Sequence, residues 1–123
     1  MPDSNFIILY VENPSRSVEF YSAILEKSPV ENSPHFALFV LDSGMKFGLW
    51  QQQDVQPAVE ELGISGEIAF PLPDKAAVGN TYSDWKDRGL KMIQEPTAME
   101  FGYTFVALDP DGNRLRVFSP AQS

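Results

Sequence analysis

The chain has 123 residues, a length typical of one domain, and 43% hydrophobic and 12% aromatic residues predict a folded core. A formal net charge of −8 argues against nucleic acid as a partner, because phosphate binding needs a basic surface. The absence of cysteine excludes disulfides, thiolate metal sites and cysteine nucleophiles. With no signal-like leader and no apolar run long enough to span a bilayer, we expect a cytoplasmic protein without membrane contact.

The first half of the sequence predicts the element order βαβββ. Asn13-Pro14 is typical of a helix start, since Asn caps the helix and Pro fits its first position. Asp42-Ser43-Gly44 predicts a hairpin turn. The expected elements are a strand at 6–11, a helix at 14–26, a short strand near 30, and strands at 36–41 and 45–51.

The second half predicts the same order again, which makes the fold class α+β. Asp74 is expected to cap a helix that ends at Gly89. The expected strands are 67–72, 90–94, 103–108 and 114–119, with a loop at 95–102. We therefore predict a single domain, 1–123, of two modules at 5–51 and 66–119, joined by a connection at 52–65 with a helical turn at 58–62. Two such sheets, each curling, would leave a cleft for a ligand.

Several segments resemble the vicinal-oxygen-chelate superfamily, which includes glyoxalase I, extradiol dioxygenases and bleomycin-resistance proteins. They are the segment 11–21 (VENPSRSVEFY), Glu95-Pro96 and the turn 109–113 (DPDGN). The resemblance implies a glyoxalase-like fold with a curved mixed sheet, and a homodimer. Within this group the chain is most similar to phenazine-antibiotic (griseoluteate-binding) resistance proteins, through 48–50 (GLW), 101–105 (FGYTF) and Arg116-Val117.

The resemblance places the metal-ligand positions of the superfamily's enzymes at Phe6, Gly48, Glu67 and Arg116. Of these only Glu67 can coordinate a cation, and Arg116 brings a positive charge to the place of the metal. We therefore expect no metal, no cofactor and no catalytic residue. Two interpretations stay open: Glu67 and Arg116 pair with each other, or Arg116, alone or with Arg114, binds an anionic group of a ligand.

Strand alternation places Lys46, Gly48 and Trp50 on one face, with Phe47 and Leu49 in the core. Gly48 is expected to leave space beside Trp50, where a flat aromatic ligand can stack. Trp50 can instead be a packing or dimer-interface residue, and Trp85 is expected in the core. The candidate ligand-binding residues are Phe6, Ile8, Tyr10, Gly48, Trp50, Glu67, Tyr103, Phe105, Arg114, Arg116 and Phe118, with Tyr103 and Phe105 as a wall.

The favoured hypothesis is metal-independent binding and sequestration of a small planar aromatic, antibiotic-like ligand, as in drug-resistance proteins. The alternative is a lyase, isomerase or dioxygenase of the same superfamily that uses a metal ion or Glu67 as a general base. A third hypothesis is a structural or regulatory module without a small ligand. His35, the only histidine, is interpreted as a surface or satisfied residue, and no Gly-x-Ser-x-Gly or phosphate-binding loop motif is present.

Overall fold

Each half of the chain folds into the predicted βαβββ module. The computed structural model divides the chain into two compact units, Met1–Leu62 and Gly63–Ser123, and describes residues 5–55 of the first and 67–121 of the second. We call these units the first and second module. The helical turn predicted at 58–62 lies outside the described residues, and the single domain stays a prediction.

The first module has one helix and a four-stranded mixed sheet in the order β1-β4-β3-β2. Its elements are β1 (Phe6–Val11), α1 (Pro14–Leu25), β2 (Glu31–Asn32), β3 (Phe36–Val40), β4 (Lys46–Gln51) and a short 3-10 helix (Gln52–Asp54). Asn13 caps α1 by accepting a hydrogen bond from the Arg16 amide at 3.3 Å, as predicted from Asn13-Pro14. The helix ends at Glu26 in the left-handed conformation, with φ of 54°.

The second module repeats this arrangement with the strand order β5-β8-β7-β6. Its elements are β5 (Glu67–Pro71), α2 (Lys75–Asp87), β6 (Lys91–Met99), β7 (Gly102–Leu108) and β8 (Arg114–Pro120). Asp74 caps α2 by accepting from the Ala77 amide at 2.8 Å. The turn between β7 and β8 is held by Asp109, which accepts from the amides of Asp111 at 2.9 Å and Asn113 at 2.8 Å.

The predicted loop at 95–102 is wrong, because β6 continues to Met99. Its pairing with β7 shifts register between Met92 and Gln94 and again between Gln94 and Thr97. Pro96 lies in the second irregular stretch, and β6 is at the edge of its sheet. A proline has no amide to donate, and it is tolerated in an edge strand or at a bulge. Pro96 therefore interrupts the strand pairing without ending the strand.

One face of each sheet packs against the module's helix and forms the core. In the first module Tyr21 is fully buried, and its ring lies 4.8 Å from that of Phe47. In the second, Trp85 packs edge-on against Phe105 at 5.6 Å. The predicted core residues are confirmed: Phe47, Leu49, Trp85, Leu115 and Val117 are at most 6% exposed. Within the described residues, neither helix is long and apolar enough to cross a membrane.

Candidate functional site

The strands pair in the same register in both modules, so each position on one sheet has an equivalent on the other. Ile8 lies opposite Gly48 in the parallel pair of β1 and β4, and Ala69 lies opposite Arg116 in the pair of β5 and β8. Three equivalent positions on the face away from the helix define two sets: Phe6, Phe36 and Gly48, the apolar triad, and Glu67, Thr104 and Arg116, the polar triad.

The polar triad is closed by the hydrogen bonds of Arg116. Its Nε and Nη2 donate to the two carboxylate oxygens of Glu67 at 2.8 and 3.1 Å, a bidentate ion pair. Its Nη1 donates to Thr104 Oγ1 at 3.1 Å and lies 3.5 Å from Gln94 Oε1. Thr104 in turn donates to the Val117 carbonyl at 2.9 Å. Arg116 is therefore bound to neighbours on three other strands.

This pairing perturbs both charged groups. The hydrogen bonds from Arg116 hold the pKa of the Glu67 carboxyl below its usual range, and Glu67 raises the pKa of Arg116. The predicted pairing of the two residues is thus confirmed. A carboxylate with a lowered pKa is a weak base at neutral pH, so this geometry does not favour Glu67 as a general base.

Aromatic side chains border the polar triad. The Phe101 ring centroid lies 5.5 Å from Arg116 Cζ, and the same ring meets Phe118 edge-on at 6.2 Å. Phe101 lies in the turn that joins β6 to β7 and is 45% exposed. This face of the second sheet therefore combines cationic and aromatic groups.

The residues at the metal positions do not fit a divalent ion. Both oxygens of Glu67 are engaged by the Arg116 guanidinium, which places a fixed positive charge beside the one available carboxylate. Phe6 and Gly48 carry no side-chain donor atom. Among residues 5–55 and 67–121, no group of three or more His, Cys, Asp or Glu side chains is placed to hold a metal ion.

The apolar triad is closed by aromatic rings instead. A Cβ added at Gly48 would lie 3.0 Å from Phe36 Cζ and 3.2 Å from Phe6 Cε1. The expectation that Gly48 leaves space for a ligand is therefore wrong, because the two phenylalanine rings already cover its backbone. Gly48 is required for their close approach rather than for an open floor.

Around the apolar triad, the first sheet presents large apolar side chains to solvent. Phe6 is 38% exposed, Ile8 42% and Tyr10 44%. Trp50 is half-buried and meets Tyr10 in a T-shaped contact, with ring centroids 6.4 Å apart and planes at 76°. We call Phe6, Ile8, Tyr10 and Trp50 the aromatic face. A T-shaped contact with Tyr10 uses at most one face of the indole.

Tyr103 and Phe105 do not form a wall beside the polar triad. Phe105 lies opposite Val117 and Tyr103 opposite Ser119, which places both on the face that packs against α2. Phe105 is fully buried there, with Tyr82 5.4 Å away. Counting outwards from the turn at 109–113, where 108 pairs with 114, would have indicated this alternation.

Arg114 and Phe118 do lie on the face of the polar triad, as predicted from strand alternation. Arg114 Nη1 is 4.0 Å from Glu67 Oε1, and its side chain is 44% exposed, against 19% for Arg116. Of the two arginines, Arg114 therefore makes the longer and more exposed contact with Glu67. Contact of either arginine with a ligand stays a prediction.

Four residues that the structure brings to these faces were not among the candidate ligand-binding residues: Phe36, Gln94, Phe101 and Thr104. Phe101 and Thr104 belong to the segment 101–105 that carries part of the resemblance, but no role was predicted for them. Pairing across the hairpin turn would have placed Phe36 opposite Trp50 and Thr104 opposite Phe118. Gln94 and Phe101 have no such signal, since the register of β6 is irregular.

His35 lies at the start of β3, outside the apolar triad. Its Nδ1 is 2.5 Å from Asp54 Oδ2 and 3.0 Å from Gln51 Oε1. The hydrogen bond to Asp54 raises the pKa of His35 above its usual value, and that to Gln51 raises it further. The interpretation of His35 as a satisfied surface residue agrees with these contacts.

The fold and the repeated strand register are those of one protein class. The family model for the Glyoxalase/Bleomycin resistance protein/Dioxygenase superfamily matches residues 4–117, and the chain belongs to this superfamily. It is 34% identical over 116 residues to the phenazine antibiotic resistance protein EhpR of Enterobacter agglomerans, a match that covers 92% of this chain and 88% of that protein. The resemblance predicted from the sequence is confirmed.

Solved structures agree with this assignment. An NMR structure of a protein from Agrobacterium tumefaciens is 50% identical, with a TM-score of 0.91, and the match covers 99% of this chain and 100% of that one. A glyoxalase/bleomycin resistance protein/dioxygenase from Nocardioides is 22% identical with a TM-score of 0.84, covering 100% of this chain and 86% of that one. The second similarity supports the α+β, glyoxalase-like fold alone.

Proposed function

We propose that the protein binds a small planar aromatic ligand without a metal ion, with Trp50 as the stacking residue. The observation that carries the proposal is the bidentate bond between Glu67 and Arg116. It uses the one carboxylate among the four positions at which related enzymes hold their ion. A site without chelating groups has to bind through shape and apolar contact.

The aromatic face supplies such contact. Its four side chains come from two adjacent parallel strands, where Tyr10 lies opposite Trp50. Exposed aromatic and aliphatic groups next to each other gain from covering by a flat ring system, through burial and through stacking, which contributes about 0.5–1.5 kcal/mol beyond area burial. The strands fix the backbone positions of these residues, so little ordering is needed on binding.

The relationship to a phenazine antibiotic resistance protein supports this class of ligand. Phenazines are flat, fused aromatic rings that match a stacking surface. We propose that the protein confers resistance by sequestering such a compound rather than by transforming it. The alternative of a metal-dependent or general-base enzyme has less support, because Glu67 is bonded to Arg116 and its pKa is lowered.

The chain has two tryptophans, which allows a matched test. Trp85 is 6% exposed and packs in the core, whereas Trp50 lies on the aromatic face. Phenazine-1-carboxylate is titrated against the Trp85→Phe and Trp50→Phe variants while tryptophan fluorescence is followed. We expect saturable quenching in Trp85→Phe, which retains Trp50, and little in Trp50→Phe. Full quenching in Trp50→Phe, or none in either variant, would reject Trp50 as the stacking residue.

Affinity gives a second readout. By isothermal titration calorimetry, Trp50→Ala is expected to weaken phenazine-1-carboxylate binding about tenfold, as the loss of one stacking contact and its buried area predicts. An unchanged dissociation constant in Trp50→Ala would remove Trp50 from the proposed site.

A further inference from the structure

A pocket lies wholly within the second module, where the first turn of α2 meets the ends of β6, β7 and β8. Its volume is about 590 Å³, within the range of roughly 300–1,000 Å³ typical of small-molecule sites. Tyr103 and Ser119, which line it, lie on the face of the sheet that packs against α2. The polar triad lies on the opposite face of this sheet, and none of its three residues lines the pocket.

The floor of the pocket is backbone. Gly102 has φ of +152°, and a Cβ there would lie 1.9 Å from the Ser119 carbonyl oxygen. The Ala121 amide donates to the Phe101 carbonyl at 2.9 Å and closes the ends of the same two strands. Only glycine at position 102 permits the close approach of the Gly102 backbone to the Ser119 carbonyl. The floor is therefore fixed by the fold, which lowers the entropic cost of binding a ligand.

About half of the pocket wall is apolar. Pro73 and Pro120 line it from two sides, and Met99 lines it with 44% of its surface exposed. The Met99 sulfur accepts from Gln94 Nε2 at 3.6 Å, which ties this side chain to the sheet. A polarisable thioether and two proline rings are suitable contacts for the flat body of an aromatic molecule.

The cationic group of the pocket is Lys75. Its Nζ lies 5.6 Å from the centroid of the Tyr103 ring, which holds the ammonium group at the pocket. Among the described residues Lys75 forms no ion pair, and no other Lys or Arg lines the pocket. Asp74 also lines it, but one of its oxygens already accepts from the Ala77 amide at 2.8 Å. Neither Asp74 nor Lys75 forms an ion pair among the described residues, but only the Asp74 carboxylate already has a hydrogen-bond partner.

We propose that this pocket is a second ligand site that takes a small aromatic carboxylate. The ring lies against Met99, Pro73 and Pro120, and the carboxylate pairs with the Lys75 ammonium group. The proposal does not depend on stacking at Trp50. For a ligand of this size we expect a dissociation constant on the order of 0.1–1 mM.

The test is an NMR titration of the uniformly ¹⁵N-labelled full chain with sodium 2-naphthoate. We expect saturable shifts of the Ala76, Gly102, Tyr103 and Ala121 amides. Methyl 2-naphthoate, which lacks the charge, is expected to bind two- to fivefold more weakly, as is the acid to the Lys75→Gln variant. The ester tests the charge on the unaltered protein, so the result does not depend on how the variant folds.

Lys86→Gln is the matched control. Lys86 is on the same helix, and its Nζ also lies over a tyrosine, 5.7 Å from the Tyr82 centroid, but it does not line the pocket. Its substitution is expected to change the dissociation constant by less than about 1.5-fold, since a distant charge is screened by solvent. Trp50→Ala should leave the pocket shifts unchanged. The proposal would be overturned if no saturable shifts appear at 10 mM ligand, a concentration about ten times the upper end of the expected dissociation constant. Equal affinity for the acid and the ester, or an equal loss of affinity in both lysine variants, would also overturn it.

Discussion

The two modules fill three equivalent positions in opposite ways. In the first module, a glycine lets the rings of Phe6 and Phe36 meet over the backbone of β4. In the second, an arginine at the same position reaches a carboxylate and a hydroxyl that replace those two rings. One closure is apolar and has no charge. The other is an ion pair surrounded by hydrogen bonds.

The difference shows how one backbone repeat supports two kinds of surface. Because the strand register is identical, the residue types alone decide whether the face is aromatic or ionic. Neither set offers the several free oxygen or nitrogen donors that a divalent ion requires. The difference between the two modules at these positions is therefore a matter of side chains and not of fold.

Arg116→Met should have the largest effect on stability. It leaves Glu67 and Thr104 without their donor, and the side chain is only 19% exposed. We expect a loss of about 1–3 kcal/mol in the free energy of unfolding, after allowance for partial screening by solvent. Urea denaturation measures it. Arg114→Met, with a 4.0 Å contact and 44% exposure, is the control and should cost less than about 0.5 kcal/mol. Similar losses in both variants would mean that the polar triad is not closed as described.

Glu67→Gln tests the ionic character of the same triad through pH. The folded-state pKa of Glu67 is lowered, so its contribution to stability is present above the unfolded pKa of about 4.3 and is lost as pH falls towards the lowered value. Glu67→Gln should therefore cost about 1 kcal/mol at pH 7, and the difference from the unaltered protein should shrink below about pH 4. Urea titrations at several pH values measure this. A difference that is constant with pH would contradict an ion pair.

Asp84→Asn is the control for that experiment. It removes an exposed helical pair with Arg88, whose Nε lies 3.1 Å from Asp84 Oδ2. Since exposed pairs of this kind contribute little, we expect a change of less than about 0.5 kcal/mol at each pH.

Gly48→Ala should have the smallest effect on the free energy of unfolding. It tests whether the phenylalanine rings of the apolar triad cover Gly48. The added methyl group must displace the Phe36 ring by a few tenths of an ångström, so we expect a cost of up to about 1 kcal/mol. Gly79→Ala is the matched substitution in α2, where nothing lies within 4 Å of the new atom. It should stabilise the protein by about 0.5–1 kcal/mol, as is usual for a helical glycine. Equal stabilisation by both changes would show that no ring covers Gly48.

Strand alternation was enough to predict much of this site. Period-2 patterns separated Phe47, Leu49, Leu115 and Val117 as core from their neighbours on the opposite face. The pairing of Glu67 with Arg116 followed from the neighbouring first and last strands of a module. These features depend on local sequence and on topology, which a repeated βαβββ order specifies well.

Other features depend on geometry that the sequence does not state. A glycine at position 48 shows that a side chain is missing, but not which rings approach over it. Pro96 suggested a loop, because proline is not tolerated inside a central strand. It is tolerated in an edge strand, and the sequence does not show that β6 is at the edge of its sheet. The pocket beside Lys75 arises where a helix start meets three strand ends, and no motif marks it.

The central claim is that the ligand binds by stacking on Trp50 and not by chelation. The most direct measurement is the dissociation constant of phenazine-1-carboxylate for the Trp85→Phe variant, taken from fluorescence quenching of Trp50 in excess EDTA and again with excess Mn²⁺ or Zn²⁺. We expect the same constant in all three conditions, within about twofold, because no step of the proposed binding uses an ion. Loss of binding in EDTA that either ion restores would contradict it.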